Sequence, residues 1–170
     1  MAEAASSNDN QYLTFTLERE LFALDIGSVR EVLELVNITR VPRTPDYIRG
    51  VINLRGRAVP VVDLKLKFGM GATERTVNTC IIIVEVNLDG ESTVLGALAD
   101  SVQEVYEMES AQIEPTPRMG TPIKADFIRG MGKSGEQFII ILDINKVFTS
   151  LELAGLAQSL GETAPESAEA

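Results

Sequence analysis

Histidine is absent from this 170-residue chain, and cysteine occurs once. The missing histidine removes the commonest general base, the commonest metal ligand and the usual partner in a catalytic triad. It also excludes a phosphohistidine within this chain. A single cysteine excludes an internal disulfide, which fits a reducing compartment. Cys80 stands in the apolar run Cys80-Ile-Ile-Ile-Val84, so it reads as a small buried hydrophobe rather than a nucleophile. No apolar run approaches the roughly 18 residues of a membrane helix, and residues 1–10 lack the basic start and apolar stretch of a signal peptide. The chain is therefore expected in the cytoplasm. A basic cluster is lacking as well: 15 bases against 25 acids give a formal charge of −10. Five of those acids (Glu3, Asp9, Glu162, Glu166, Glu169) stand in the two tails, which leaves the centre near −5. Such a chain is a poor partner for nucleic acid or for an anionic membrane surface.

What is present describes one compact domain. Apolar residues make up 45% of the chain, enough for a real core. Residues 1–10 and 161–170 are small, polar and acidic and read as disordered tails. Between them the pattern is of short strands. Tyr12–Leu17 and Leu21–Leu24 flank a turn at Glu18–Glu20, and Tyr47–Leu54 and Ala58–Val62 flank a turn at Arg55–Arg57. Pro60 puts that part of its strand at an edge or bulge. Cys80–Val86 and Thr93–Leu98 flank the turn signal Asp89-Gly90, and Phe138–Leu142 is a further strand. The apolar spacing predicts a short helix over Ile26–Leu33 and a longer one over 145–160, stopped by Gly161. Many strands and few helices argue for a mainly β fold, barrel or sandwich.

The chain repeats itself. Ser28-Val-Arg-Glu-Val-Leu-Glu34 recurs as Ser101-Val-Gln-Glu-Val-Tyr-Glu107, and Tyr47-Ile-Arg-Gly50 recurs as Phe127-Ile-Arg-Gly130. Ile38, Pro42 and Arg43 recur as Ile113, Pro117 and Arg118, Asp63 as Asp143, and Phe68 as Phe148. Three blocks in one order predict two related β subdomains, near 11–75 and 76–148, packed along a shared seam. Two copies are too few for a solenoid.

No catalytic constellation stands out. Triads, Cys-x-x-Cys and Walker-type loops are all missing. Gly130–Gly135 lies between two strands, so it reads as a hairpin loop rather than a phosphate cradle. Asp63 and Asp143, at equivalent repeat positions, read as caps of the turns that follow them. Glu31, Glu34, Glu104 and Glu107 read as solvated residues, and Arg49 and Arg129 as surface ion pairs. Arg55 differs: a hairpin-tip arginine without a repeat counterpart is a candidate partner contact.

At these residues a resemblance becomes specific. Phe22-Ala-Leu-Asp-Ile26, Val29-Arg-Glu-Val32, Tyr47-Ile-Arg-Gly-Val-Ile-Asn-Leu-Arg-Gly56 and Val59-Pro-Val-Val-Asp-Leu64 resemble the CheW family, as do Phe127-Ile-Arg-Gly130 and Ile140-Ile-Leu-Asp-Ile144. The likeness spans about residues 11–150. It implies two five-stranded β-barrel subdomains with short helices. It also implies a non-enzymatic adaptor, without metal or cofactor, that couples methyl-accepting chemotaxis receptors to the histidine kinase CheA at membrane-associated arrays. Carried over from the family, the receptor-facing groove would involve Val29, Glu31, Gly50, Arg55, Val102 and Val105. The surface for the kinase's regulatory domain would lie around Ile26, Ile38, Thr44 and Pro45. Rings of CheW with CheW or with kinase are implied too, whereas insertion into the membrane is not. The rival readings are an adaptor of a parallel chemosensory pathway, and a small-ligand-binding β protein using Asp63, Asp143 or the Gly130–Gly135 loop.

Overall fold

A computed structural model describes residues 10–88, 90–115 and 127–148. Ten strands carry the fold: β1 Gln11–Leu17, β2 Glu20–Asp25, β3 Val29–Glu34, β4 Ile48–Leu54, β5 Arg57–Asp63, β6 Cys80–Leu88, β7 Glu91–Ala99, β8 Ser101–Glu107, β9 Ile128–Ser134 and β10 Gln137–Leu142. Two single-turn helices, α1 Leu64–Lys67 and α2 Ile144–Val147, follow β5 and β10. The strands form two five-stranded sheets, ordered β8-β1-β2-β10-β9 and β3-β6-β7-β5-β4.

These orders are the same pattern written twice, but each sheet mixes the repeats. The first sheet takes β1 and β2 from one repeat and β8, β9 and β10 from the other; the second takes the complement. The halves 11–75 and 76–148 each supply strands to both sheets, so the repeat boundary is not a sheet boundary. Connection length explains the exchange. If β8 took the place beside β6 that β3 occupies, β7 and β8 would both run antiparallel to β6, and so parallel to each other. A parallel connection within one sheet needs about a dozen residues. Asp100 is all that separates β7 from β8, and Ile26–Ser28 all that separates β2 from β3. With so little chain to return, each third strand crosses to the other sheet.

Both faces of the central strands are buried. Cys80, Ile82, Val84 and Val86 of β6 join Phe15, Phe22 and Leu24 in the core between the sheets. Ile81 and Ile83, pointing the other way, join Ile52, Val59 and Val61 in a second cluster. Ile139 and Ile141 of β10 do the same with Tyr12 and Met108 in the first sheet. Phe15, Phe22, Phe68 and Phe127 form a row of rings through the shared core, with successive centroids 5.9, 6.2 and 5.9 Å apart. Lys67 lies over the rings of Tyr47 and Phe127, which are repeat equivalents. Burial pushes the Cys80 thiol up from its usual pKa, with Asp100 adding to the effect, which suits the unreactive hydrophobe expected.

Three readings differ from expectation. Ile26–Leu33 is not a helix: a 3₁₀ turn at Ile26–Ser28 leads into strand β3. Its apolar spacing is helix-like, but Val29 and Val32 are β-branched and the segment completes its hydrogen bonds against β6. α2 ends at Val147, because Phe148 is extended; the rest of the helix expected over 145–160 lies outside the described residues. Asp143 makes no capping hydrogen bond, whereas Asp63 does. Pro60 lies as expected where β5 is a local edge: it pairs with β4 on one side, while the pairing with β7 begins only at Val61, so its missing N–H falls where no β7 partner stands.

Asp63 is fully buried and its oxygens are fully used. Oδ1 accepts from Lys65 N–H at 3.1 Å and Thr73 Oγ1 at 2.6 Å. Oδ2 accepts from Thr73 N–H at 2.9 Å and Arg49 Nη1 at 2.8 Å. Arg49 is therefore not a dispensable surface pair: it compensates a carboxylate with no access to water. Asp63→Ala leaves the buried Thr73 donors unpaired and should cost about 3 kcal/mol in urea unfolding. Asp143→Ala, with no such contacts, should cost about 0.5 kcal/mol or less.

Candidate functional site

The second sheet ends in two edge strands, β3 and β4. The β4–β5 hairpin turns on Arg55 and Gly56, with φ of 52° and 84°, the two-residue geometry that matches strand twist. Asn53 Oδ1 accepts from Gly56 N–H at 2.8 Å and fixes the tip. The left-handed turn aims Arg55 back across the open side of the sheet toward β3. There its guanidinium meets Glu31 in a two-pronged pair, Nη1 to Oε2 at 2.7 Å and Nη2 to Oε1 at 3.0 Å. Arg55 is 70% exposed in its side chain. The Arg55 hydrogen bond is the largest influence holding the Glu31 carboxyl below its usual pKa, and the same contact holds the guanidinium up.

The two edges are bridged elsewhere as well. Thr39, beyond β3, exchanges both backbone hydrogen bonds with Val51 of β4 at 2.8 Å. Gly50 sits against this bridge. It is buried, its φ is +141°, and a Cβ there would lie 2.1 Å from the Thr39 carbonyl oxygen. Gly50, expected in the receptor-facing groove, is thus closely approached by this chain's own Thr39. Gly130, its repeat counterpart, is crowded in the same way by Ile113 and Glu114.

Val29 and Val102, repeat equivalents on β3 and β8, are half-buried against the core between the sheets. Each strand carries a bulge beside its valine, between Val29 and Glu31 in β3 and opposite Thr14 in β8. Thr14 Oγ1 fills the β8 bulge, donating to Glu104 O at 2.6 Å and accepting from Glu104 N–H at 3.1 Å. Beyond that bulge Val105 is 47% exposed on an edge strand. The structure therefore joins Glu31 to Arg55 directly and sets Val29 two residues along the same strand. Val102 and Val105 belong to the other sheet.

Of the second expected set, Ile38 packs on the inner cluster of the second sheet. Thr44 donates to Val41 O at 2.9 Å, and Pro45 O accepts from Ile48 N–H at 3.0 Å, so these three belong to one loop region. Ile26 stands apart from them, against the core between the sheets. Sequence reasoning missed a nearly buried lysine. Lys65 Nζ lies 3.5 Å from Asp100 and 3.7 Å from Glu18, tying α1 to the β1–β2 turn of the other sheet. The separation of 18, 65 and 100 along the chain carries no local signal of this cluster. Arg129, the counterpart of Arg49, faces Asp25 at 3.6 Å rather than Asp143. The Gly130–Gly135 segment runs along β9 into its hairpin turn. Among the described residues no group of three or more histidine, cysteine, aspartate or glutamate side chains is placed to hold a metal.

This architecture has known relatives. The profile of the CheW-like domain matches residues 11–152. "Chemotaxis protein CheW" of Klebsiella aerogenes is 34% identical over 151 residues, covering 89% of each chain. "Protein FrzA" of Myxococcus xanthus is 29% identical over 151 residues, covering 83% of this chain and 92% of its own. A crystal structure of the scaffolding protein TtCheW from Thermoanaerobacter tengcongensis superposes with a TM-score of 0.74 at 38% identity, over 85% of this chain and 90% of that one. A two-sheet fold and a match over nearly the whole described chain agree: the chain belongs to the family of CheW-like domains.

Proposed function

We propose that this chain is a cytoplasmic, non-enzymatic adaptor that couples the cytoplasmic tips of methyl-accepting chemotaxis receptors to the regulatory domain of the histidine kinase CheA, within arrays at the inner face of the membrane. The observation that carries the reading is the exposed, geometrically fixed Arg55–Glu31 pair spanning the two edges of one sheet. A two-pronged pair held at a hairpin tip presents charge in one orientation, as recognition of a partner helix requires. Val29, on the same strand as Glu31, adds apolar contact. Val102 and the exposed Val105 would extend the receptor-facing surface onto the other sheet. Gly50 supports this surface by keeping β4 against Thr39 rather than by touching the receptor. Ile26, Ile38, Thr44 and Pro45 remain the proposed kinase-facing set. The relative named FrzA favours a second reading, an adaptor of a parallel chemosensory pathway.

Calorimetric titration with the CheA regulatory domain from the same organism tests the function. Saturable binding near equal stoichiometry is expected; no binding between folded partners would move the assignment to another kinase. Arg55→Glu should place two carboxylates together on the exposed edge and weaken receptor-tip binding about tenfold or more. Its melting temperature and kinase binding should stay close to those of the parent. Unchanged receptor-dependent kinase activation in Arg55→Glu would remove Arg55 from the receptor surface.

A further inference from the structure

Although the chain carries an excess of ten acids, three of its arginines line two adjoining depressions without an ion pair among the described residues. Arg40, Arg43 and Arg75 are exposed and make no hydrogen bond, ion pair or ring contact among the described residues. Arg40 and Arg75 line a concavity of about 690 Å³, together with Arg49, and Ile38, Ile48 and Leu66 contribute apolar side chains to the lining. A second depression of about 420 Å³ shares Arg40 and Arg49 and adds Arg43. Asp46 is the one acid lining either depression, and Arg49 is already committed to Asp63. Apolar side chains stand uncovered nearby. Val77, two residues beyond Arg75, is 99% exposed, and Val36, just before Asn37, is 44% exposed.

An occupant of this site has to satisfy cations and aliphatic surface together. A phosphate alone would leave these apolar side chains and Val77 uncovered. An anionic bilayer is flat and is repelled by the net charge of the whole chain. We propose that this concavity docks a segment of a partner protein that carries carboxylates beside aliphatic side chains. Ile38 lines the larger depression, and Thr44 and Pro45 line the smaller. That the partner is the kinase rests on the adaptor reading; the chemistry of the occupant does not.

The test titrates the isotopically labelled full chain with a blocked hexapeptide of alternating glutamate and leucine. Arginine Nε–Hε and backbone amide signals are followed by NMR. Saturable shifts are expected at Arg40, Arg75 and Val77, and the affinity should fall about threefold or more from 50 to 200 mM salt. They should vanish in the Arg40→Glu/Arg75→Glu variant, whose substitutions are at exposed positions, and with a lysine–leucine peptide. Absence of shifts, or equal shifts at Arg19 and Arg57, overturns the proposal. So does a stronger response of the same signals to inorganic phosphate or phosphatidylglycerol vesicles. The kinase regulatory domain should bind the double variant about tenfold or more weakly, with receptor-tip binding unchanged. If the peptide result holds and the parent chain binds no CheA domain, the CheA assignment moves to another kinase while the docking surface stands.

Discussion

Cut between residues 75 and 76, the chain should yield two fragments that do not fold alone and do fold together. The first fragment keeps the β1–β2 and β4–β5 hairpins but loses every sheet neighbour that joins them: β8 and β10 for one, β7 for the other. β3 is left with no partner, because it pairs only with β6. The second fragment keeps two hairpins and a solitary β8. Isolated hairpins are marginal in water, and each half exposes its share of the core between the sheets. A half cannot rescue itself by closing its own five strands into one sheet. The β2–β3 and β7–β8 connections are too short to bring the third strand back beside the first. Each fragment alone should show poor NMR dispersion and no cooperative urea transition. An equimolar mixture should recover both, with a midpoint below that of the intact chain, since association now carries an entropic cost that the linker had removed. Cooperative folding of either half alone would mean that a self-closed sheet is accessible.

The repeat was legible in the sequence, and so were seven of the ten strands, because alternation and turn residues are local signals. What joins which strand was not. The motif Tyr47-Ile-Arg-Gly50 and its copy at Phe127 announce two similar units, and nothing in their spacing says that the units exchange strands. That follows only from counting the residue or two between β7 and β8 once both strands are known. The helix expected over Ile26–Leu33 failed for a related reason: Val29 and Leu33 fit both periods over so short a segment, Val32 fits only the helical one, and the pairing with β6 decides. Polar sites divide in the same way. Asp63 could be read as a cap from its place after an apolar strand. Its further partners, Thr73 and Arg49, lie 10 and 14 residues away on a loop and a strand. Arg55 was marked out by its position at a hairpin tip, while Glu31 read by itself as a solvated acid and only the family resemblance set it in one groove with Arg55.

Gly50 separates what holds the fold from what meets a partner. Gly50→Ala should destabilise the chain by roughly 3 kcal/mol or more, because strained backbone and a backbone clash act together. At φ +141° the position already disfavours a side chain, and the added Cβ would meet the Thr39 carbonyl, which no rotamer change can move aside. Relief requires β4 to leave Thr39, which breaks the paired hydrogen bonds of Thr39 with Val51 and loosens the strand that carries Arg55 toward Glu31. Gly56→Ala is the matched control. Its φ of +84° is also in the region that favours glycine, but nothing lies within 4 Å of the new Cβ, so its cost should be about 1 kcal/mol. Urea unfolding of the two variants compares crowding at constant strain. A loss of receptor coupling in Gly50→Ala would then report a displaced edge strand rather than a lost contact. It should be accompanied by a lowered midpoint, and by weakened protection of the Val51 amide from hydrogen exchange. Equal costs for the two glycines would show that Thr39 can yield. Gly50 would then return to the list of residues whose bareness serves the partner.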